Sequence, residues 1–380
     1  MKNKIVYANI DEYYSLLSRA KHIPFFGSFE LTPRCNMNCK MCYIRMNEEE
    51  MKKIGREMTV DEWLEIAQQA TKRGMTHLLL TGGEPLVYKG FKELYLKLRK
   101  LGIFISVNTN GTMFTDEWVD FFAQNIPAQI NITIYGGSNE TYNRLCRNPK
   151  GFDQMKSTIE KLQSKNIRVV LNCVITKQNF EDMEEIFRFG REHDLKVNAT
   201  CYCFPPVRKE GVIDPEVNRY NPKEAALARV YTNWNSINDK NTFVKRADYI
   251  VNYPEKVQNI ENSCVDAVGD RVLCAAGRSN FWITWDGRML PCGMIPDYSV
   301  SIKELGFDDA WDNVVDYTSN IRLSAECKNC KNKDICSPCA AKLKSETGVF
   351  DQKSKYMCEF TEEYIRLMGE AKKILEAESI

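Results

Sequence analysis

The chain has 380 residues, longer than one small domain, and fits two domains joined by a connector. Its 52 Lys and Arg nearly balance 51 Asp and Glu, which excludes the strong field that nucleic acid or an anionic membrane would call for. The polar start, residues 1–11, lacks the apolar core of a signal peptide, and no apolar run reaches membrane-spanning length, so the expected location is the cytoplasm.

Residues 1–24 read as a short helical lead, with Tyr13, Leu16 and Leu17 apolar. Within the apolar run 25–31, a strand-like stretch from Gly27 then delivers a loop bearing Cys35, Cys39 and Cys42. The segment 48–56 is charged and expected to be exposed. Thr59 and Glu62 form a capping box that opens a helix ending near Gly74. From there strands and helices alternate. Leu78, Leu79 and Leu80 read as a buried strand, followed by the loop Thr81-Gly82-Gly83-Glu84-Pro85-Leu86 and a helix carrying Phe91, Leu94 and Leu98. A strand over 104–109 closes on the turn pair Asn110-Gly111. Further strands are expected at 130–135, 169–175 and 197–203, with helices at 118–123, 152–162 and 183–191. Six strands alternating with helices predict parallel βαβ units and the α/β class, in which both an open sheet and a partial barrel fit the pattern. After Cys203 the periodicity is lost until about residue 262, apart from a helix over 222–234. A hairpin turning at Asp286-Gly287 and a helix over 361–376 close the chain. The expected division is a lead (1–24), a barrel (25–204), a connector (205–262), a cysteine-rich domain (263–362) and a terminal helix (363–380).

Fifteen cysteines in a reducing compartment point to metal rather than to disulfides, and only three histidines are available to share such sites. Cys35, Cys39 and Cys42 stand at C-x3-C-x2-C spacing with no fourth cysteine before Cys146. Three thiolates on one short loop suit one face of a cubane iron–sulfur cluster whose fourth iron stays open. The competing readings are a zinc loop or three structural thiols, although zinc sites usually pair their cysteines. The two glycines at 82 and 83 allow close backbone approach, and Glu84 offers a carboxylate to a cationic amine. The C-terminal cysteines run Cys274, Cys292, Cys327, Cys330, Cys336, Cys339 and Cys358, and one or two zinc sites remain the alternative there. Cys146, Cys173, Cys201 and Cys203 fit no cluster pattern and are expected to be small buried apolar residues, with Cys201 and Cys203 placed to face a cavity as the alternative.

The cysteine triad followed one βα unit later by Gly-Gly-Glu-Pro resembles the radical SAM superfamily, with Met41 where relatives commonly have an aromatic residue. The resemblance implies a partial (β/α)6 barrel, a [4Fe-4S] cluster on Cys35, Cys39 and Cys42, and S-adenosylmethionine chelated at its open iron. It implies cofactor contacts from Tyr43, Gly82, Gly83, Glu84, Thr133, Arg144 and Asn172. Arg144 is alternatively an exposed helix residue, and Asn172 a structural hydrogen-bonding one. The C-terminal cysteines resemble a SPASM domain, with two residues rather than three before Cys339. That likeness implies two auxiliary iron–sulfur clusters, the outer on Cys327, Cys330, Cys336 and Cys358, the inner on Cys274, Cys292 and Cys339. The inner cluster's fourth ligand is Cys264 or is absent. Such enzymes use one electron, from a donor such as flavodoxin or ferredoxin, to cleave S-adenosylmethionine to a 5′-deoxyadenosyl radical that abstracts hydrogen from a substrate. Peptide or protein substrates dominate this two-domain layout. Sulfatase maturases resemble a pattern with an aspartate where Gly293 stands, which argues against formylglycine formation. Ribosomal-peptide maturases that install thioether or carbon–carbon crosslinks fit better, with leader recognition expected from another surface or from a separate precursor-recognition protein because no peptide-binding module fits before residue 25. A small-molecule radical enzyme and a non-catalytic iron–sulfur or zinc protein are the alternatives.

Overall fold

The computed structural model describes residues 10–205, 208, 219–252 and 274–377. Residues 206–207, 209–218 and 253–262 of the expected connector, and Cys264 beyond it, lie outside these residues. Helix α1 (Ile10–Lys21) leads into strand β1 (Phe26–Glu30), after which come α2 (Glu48–Ile54), α3 (Val60–Lys72) and β2 (His77–Thr81). The alternation continues through α4 (Phe91–Arg99), β3 (Phe104–Thr109), α5 (Asp116–Gln124), β4 (Gln129–Thr133), α6 (Asn139–Cys146), α7 (Gly151–Ser164), β5 (Val169–Val174), α8 (Met183–Glu192) and β6 (Val197–Thr200).

Strands β1 to β6 pair in parallel and in chain order. A doubly wound sheet reverses its strand order and is covered by helices on both faces. Here the order never reverses, so every crossover runs the same way and the sheet curls into a partial (β/α)6 barrel. Apolar side chains such as Leu78, Leu80, Val107, Ile130 and Ile132 are fully or almost fully buried in the main core. Several of their alternates, among them Ser106, Asn108, Asn131 and Thr133, are polar and half-buried. Asn131 donates to Asn108 at 2.8 Å across β3 and β4, and Asn198 to Asn172 at 3.3 Å across β5 and β6. One strand face is dry and the other wet, which leaves room inside the curl instead of the packed interior of a closed barrel.

The capping box on α3 is present as the sequence predicts, with Thr59 and Glu62 each bonding the other's backbone. The charged segment before it is exposed, as expected, and forms the helix α2. Asn47 and Glu50 form a second capping box there, acidic residues fill its first turn, and Lys52 and Lys53 close its last, so charge placement stabilises a helix with no buried face.

Beyond the barrel, α9 (Pro222–Ile237) and α10 (Lys240–Val251) precede a hairpin of β7 (Asn280–Ile283) and β8 (Arg288–Leu290). The expected turn is there, with Gly287 at φ 89°. The hairpin is not separate from the barrel sheet, because β7 pairs in parallel with β1, and β9 (Val300–Ser301) adds to β8. Then follow α11 (Ile302–Ser319), α12 (Ala325–Lys328), α13 (Lys333–Cys336), α14 (Ala340–Thr347) and α15 (Lys355–Ala377). No helix among the described residues is long and apolar enough to cross a membrane.

Candidate active site

The cysteine loop leaves the C-terminal end of β1 and is fastened along its backbone. Leu31 N–H donates to Thr81 O (2.9 Å), Gly83 N–H to Thr32 O (2.7 Å) and Glu84 N–H to Arg34 O (2.9 Å). The two glycines serve this zipper. A Cβ at Gly82 would stand 2.4 Å from Thr32 O, and one at Gly83 the same distance from Arg34 O. From the other side, Asn38 and Lys40 donate to the carbonyls of Cys146 and Leu145 at the end of α6 (3.2 and 2.9 Å). Arg34 closes the base with a two-point ion pair to Glu57 (2.8 and 2.7 Å).

A cavity of about 390 Å³ opens over this loop, bordered by Cys35, Cys39 and Cys42 together with Tyr43, Gly82, Gly83, Thr133 and Tyr135. The three thiols sense one another. Burial pushes the Cys35 thiol up to about 12, and Glu84, Cys39 and Cys42 add to that. Cys39 is shifted down instead, first because the Cys146 thiol donates to it and also because Tyr135 does. Backbone N–H groups of Met37 and Arg45 donate to Cys35 and Cys42 at 3.4 and 3.2 Å. No histidine or carboxylate is on the cavity wall among the described residues. A set of soft sulfurs fed by backbone donors fits an iron–sulfur group. Among the described residues no three Cys, His, Asp or Glu side chains converge on a point where a single metal ion would sit.

Three of the expected cofactor contacts are placed elsewhere. Glu84 is fully buried, and its carboxylate accepts from Thr109 Oγ1 (2.9 and 3.0 Å), Asn110 N–H (2.8 Å) and Leu86 N–H (3.3 Å). It joins the loops after β2 and β3 and does not border the cavity. Burial raises its carboxyl to about 7 against these hydrogen bonds. Arg144 donates to Gln178 O at 2.7 Å, outside the cavity, because α6 turns it toward the loop after β5. Asn172 accepts from Asn198 on the inner strand face, below the rim. Thr133, Tyr43, Gly82 and Gly83 do line the cavity.

The sequence reading passed over several residues that shape the site. Asn110 donates to Asn36 Oδ1 (2.8 Å) and approaches Cys35 Sγ at 3.7 Å. Glu30, fully buried at the end of β1, is held by Arg208 (2.7 and 3.0 Å) and by Trp282 Nε1 (2.8 Å). The Arg208 guanidinium lies 6.0 Å from the Tyr43 ring centre. A carboxylate inside the apolar run 25–31 was the available signal for this cluster, since such a charge is retained only when paired.

The remaining cysteines gather as two groups. Cys292, pushed up to about 11 by burial, has Cys274 and Cys339 as charged neighbours. Cys358 is raised by burial and then by Cys336, Cys327 and Cys330. Both groups border a small core of Ile295, Ile321, Leu323, Ala340, Ala341, Leu343 and Met357. Cys146, Cys173, Cys201 and Cys203 are buried, and Cys203 also borders the cavity.

Fold and site together define an α/β protein with a thiol-lined cavity at the C-terminal rim of a partial barrel. Residues 29–190, less than half of the chain, match the Radical SAM superfamily. The chain is 25% identical over 344 residues to the AdoMet-dependent heme synthase of Methanosarcina barkeri, spanning 88% of this chain and 96% of that one. It is 29% identical over 167 residues to the sporulation killing factor maturation protein SkfB of Bacillus subtilis, 43% of this chain and 39% of the relative. The structure of Streptococcus suis SuiB bound to precursor peptide SuiA superposes with a TM-score of 0.68 at 18% identity, covering 94% of this chain and 83% of SuiB. Native anSMEcpe with bound AdoMet gives 0.65 at 18% identity, covering 92% and 100%. At such identities the superpositions establish the fold.

Proposed function

We propose that the chain is a radical SAM enzyme that modifies a peptide, with Cys35, Cys39 and Cys42 holding a [4Fe-4S] cluster and S-adenosylmethionine in the 390 Å³ cavity. When bound, the cluster supplies the electron, taken from a flavodoxin- or ferredoxin-like donor, that cleaves S-adenosylmethionine reductively. The chain's own residues position and shield. The backbone zipper to Gly83 and Glu84 sets the height of the triad, and Asn110 steadies Cys35 through Asn36. Met37, Met41, Ile44, Phe204 and Met294 give the cavity an apolar wall that keeps water from a reactive intermediate.

One observation carries the reading: the cavity wall faces both the triad and the second thiol group. Tyr43 borders the cavity and has Cys42 and Cys292 as charged neighbours, and Met294 lies two residues from Cys292. An auxiliary cluster on Cys274, Cys292 and Cys339 would therefore sit beside the substrate, with the outer one on Cys327, Cys330, Cys336 and Cys358 beyond it. The SkfB alignment and the likeness to peptide-bound SuiB support a peptide substrate joined by a thioether or carbon–carbon bond. Formylglycine formation is disfavoured at Gly293, where a Cβ would already meet the Trp282 ring at 3.0 Å. A second reading, a small-molecule substrate, is supported by the end-to-end alignment with the M. barkeri heme synthase.

Anaerobic reconstitution tests the proposal. The expected result is about 12 iron and as many sulfide per chain for three clusters, with 5′-deoxyadenosine formed under reduction. The Cys35/Cys39/Cys42→Ala variant should lose all cleavage and keep the auxiliary iron. Zinc with little sulfide, or cleavage persisting in that variant, overturns it.

A further inference from the structure

A second and larger cavity, about 610 Å³, lies behind the first, between the end of β6, helices α9 and α10, the cysteine loop around α13, and α15. The two chambers share Thr200 and Tyr202 as a common wall. Its charge is lopsided. Arg229, Arg246 and Lys342 line it against the single carboxylate of Asp334, which is exposed. Elsewhere in this part of the protein, arginines are matched: Arg208 to Glu30, Arg219 to Glu346 and Arg366 to Glu363. No carboxylate among the described residues pairs with Arg229, Arg246 or Lys342.

Part of the imbalance has a local answer. The Lys342 ammonium lies 4.5 Å from the Tyr202 ring centre, with Cys339 and Cys336 as its negative neighbours. Arg229 has the buried Cys201 thiol beside it rather than a carboxylate. Arg229 reaches only Ala199 O at 3.5 Å, and Arg246 stands 5.8 Å from the Tyr249 ring. Two guanidiniums on adjacent helices, half-buried Arg229 of α9 and exposed Arg246 of α10, thus line one polar chamber whose wall also carries Cys336 and Cys339 and the aromatic rings of Tyr356, Phe360 and Tyr364. That combination accepts a carboxylate bonded to an apolar body, since guanidinium matches carboxylate in two-point geometry and aromatic faces cover the stem.

We propose that this chamber is a substrate subsite that binds a carboxylate-bearing segment of the peptide through Arg229 and Arg246. The segment would extend past Tyr202 while the reacting carbon lies in the cofactor cavity. This rests on the peptide-modifying reading and adds a substrate class to it, peptides with an acidic residue near the modified position.

The test uses the reconstituted enzyme with S-adenosylmethionine bound, titrated anaerobically with a capped hexapeptide of alternating Glu and Ala, its Gln counterpart, and citrate. The Glu peptide is expected to bind on the order of tenfold more tightly than the Gln peptide, with the margin shrinking at high salt. The Arg229→Gln/Arg246→Gln variant should lose that margin while S-adenosylmethionine affinity is unchanged. Lys342→Met should leave most of it. Equal affinity for the two peptides, or a margin that survives the double variant, overturns the subsite. Citrate binding that depends on both arginines, with no preference between the peptides, overturns the peptide assignment in favour of a small polycarboxylate. Failure of the enzyme reading itself would show separately, as missing iron or missing 5′-deoxyadenosine.

Discussion

The two thiol-bearing regions are held in place by different means. The triad loop is clamped before any cluster is considered: backbone hydrogen bonds tie it to the glycine loop and to α6, and Arg34 anchors it on Glu57. Of the C-terminal cysteines, Cys327, Cys330, Cys336 and Cys339 sit on the one-turn helices α12 and α13 and on their links. Cys274 and Cys292 flank the hairpin and Cys358 is on α15, around a core of seven buried residues among those described. A region that buries so little apolar surface would lean on a bound metal to fold, whereas a barrel rim can offer a preformed site. Under the proposed assignment, a cluster on the triad would be placed by the fold, whereas clusters on the C-terminal cysteines would help make it.

Iron removal probes this contrast most strongly. Chelation of the holoprotein is expected to abolish amide-exchange protection across α12 to α14 while strands β1 to β4 stay protected; uniform loss across both regions would refute it. Next in size, Trp63→Ala should cost roughly 3–5 kcal/mol by chemical denaturation, because its ring is fully buried against Phe29 with centroids 4.6 Å apart. That loss belongs to the barrel unit and should leave the C-terminal iron content unchanged in the folded fraction.

Gly83→Ala should follow at about 1–3 kcal/mol, since the added methyl drives against Arg34 O and separates the two loops. Weaker S-adenosylmethionine binding, read by titration, is its second expected mark. Glu84 gives a pH dependence. Its folded carboxyl titrates near 7, above the ordinary 4.5, so the folded state holds the extra proton and stability falls as pH rises from about 4.5 to 7. Glu84→Gln should flatten that slope in melts at pH 5 and pH 8; an unchanged slope would remove Glu84 as its source. The smallest effect is expected at the surface. Hydrogen bonding to Arg56 holds the Glu62 carboxyl down at about 2, so its contribution is present above 4.5 and is lost as pH falls through 2. Because the pair is solvent-screened, Glu62→Gln should shift Tm by no more than about 2 °C at pH 7.

Much of the site was legible in one dimension because its parts are local. Cys35, Cys39 and Cys42 share one loop, Gly82 and Gly83 one turn, and the strand periodicities follow from which face of each strand is buried. The α/β alternation likewise predicted parallel units. Whether these closed into an open sheet or a partial barrel depended on strand order, which pairing across the sheet decided.

The roles that only the tertiary structure decided belong to charges whose partners are distant in the chain. Glu84 reads as a ligand in the linear motif, but Thr109 and Asn110, 25 and 26 residues on, occupy its oxygens. Glu30 meets Arg208 and Trp282 across 178 and 252 residues, and the unmatched Arg229 and Arg246 come to one chamber from two helices. The physical reason is common to all of them. A thiol loop or a glycine turn carries its geometry in adjacent residues, whereas a buried charge takes its meaning from the partner that desolvation forces on it, and folding alone determines which partner that is.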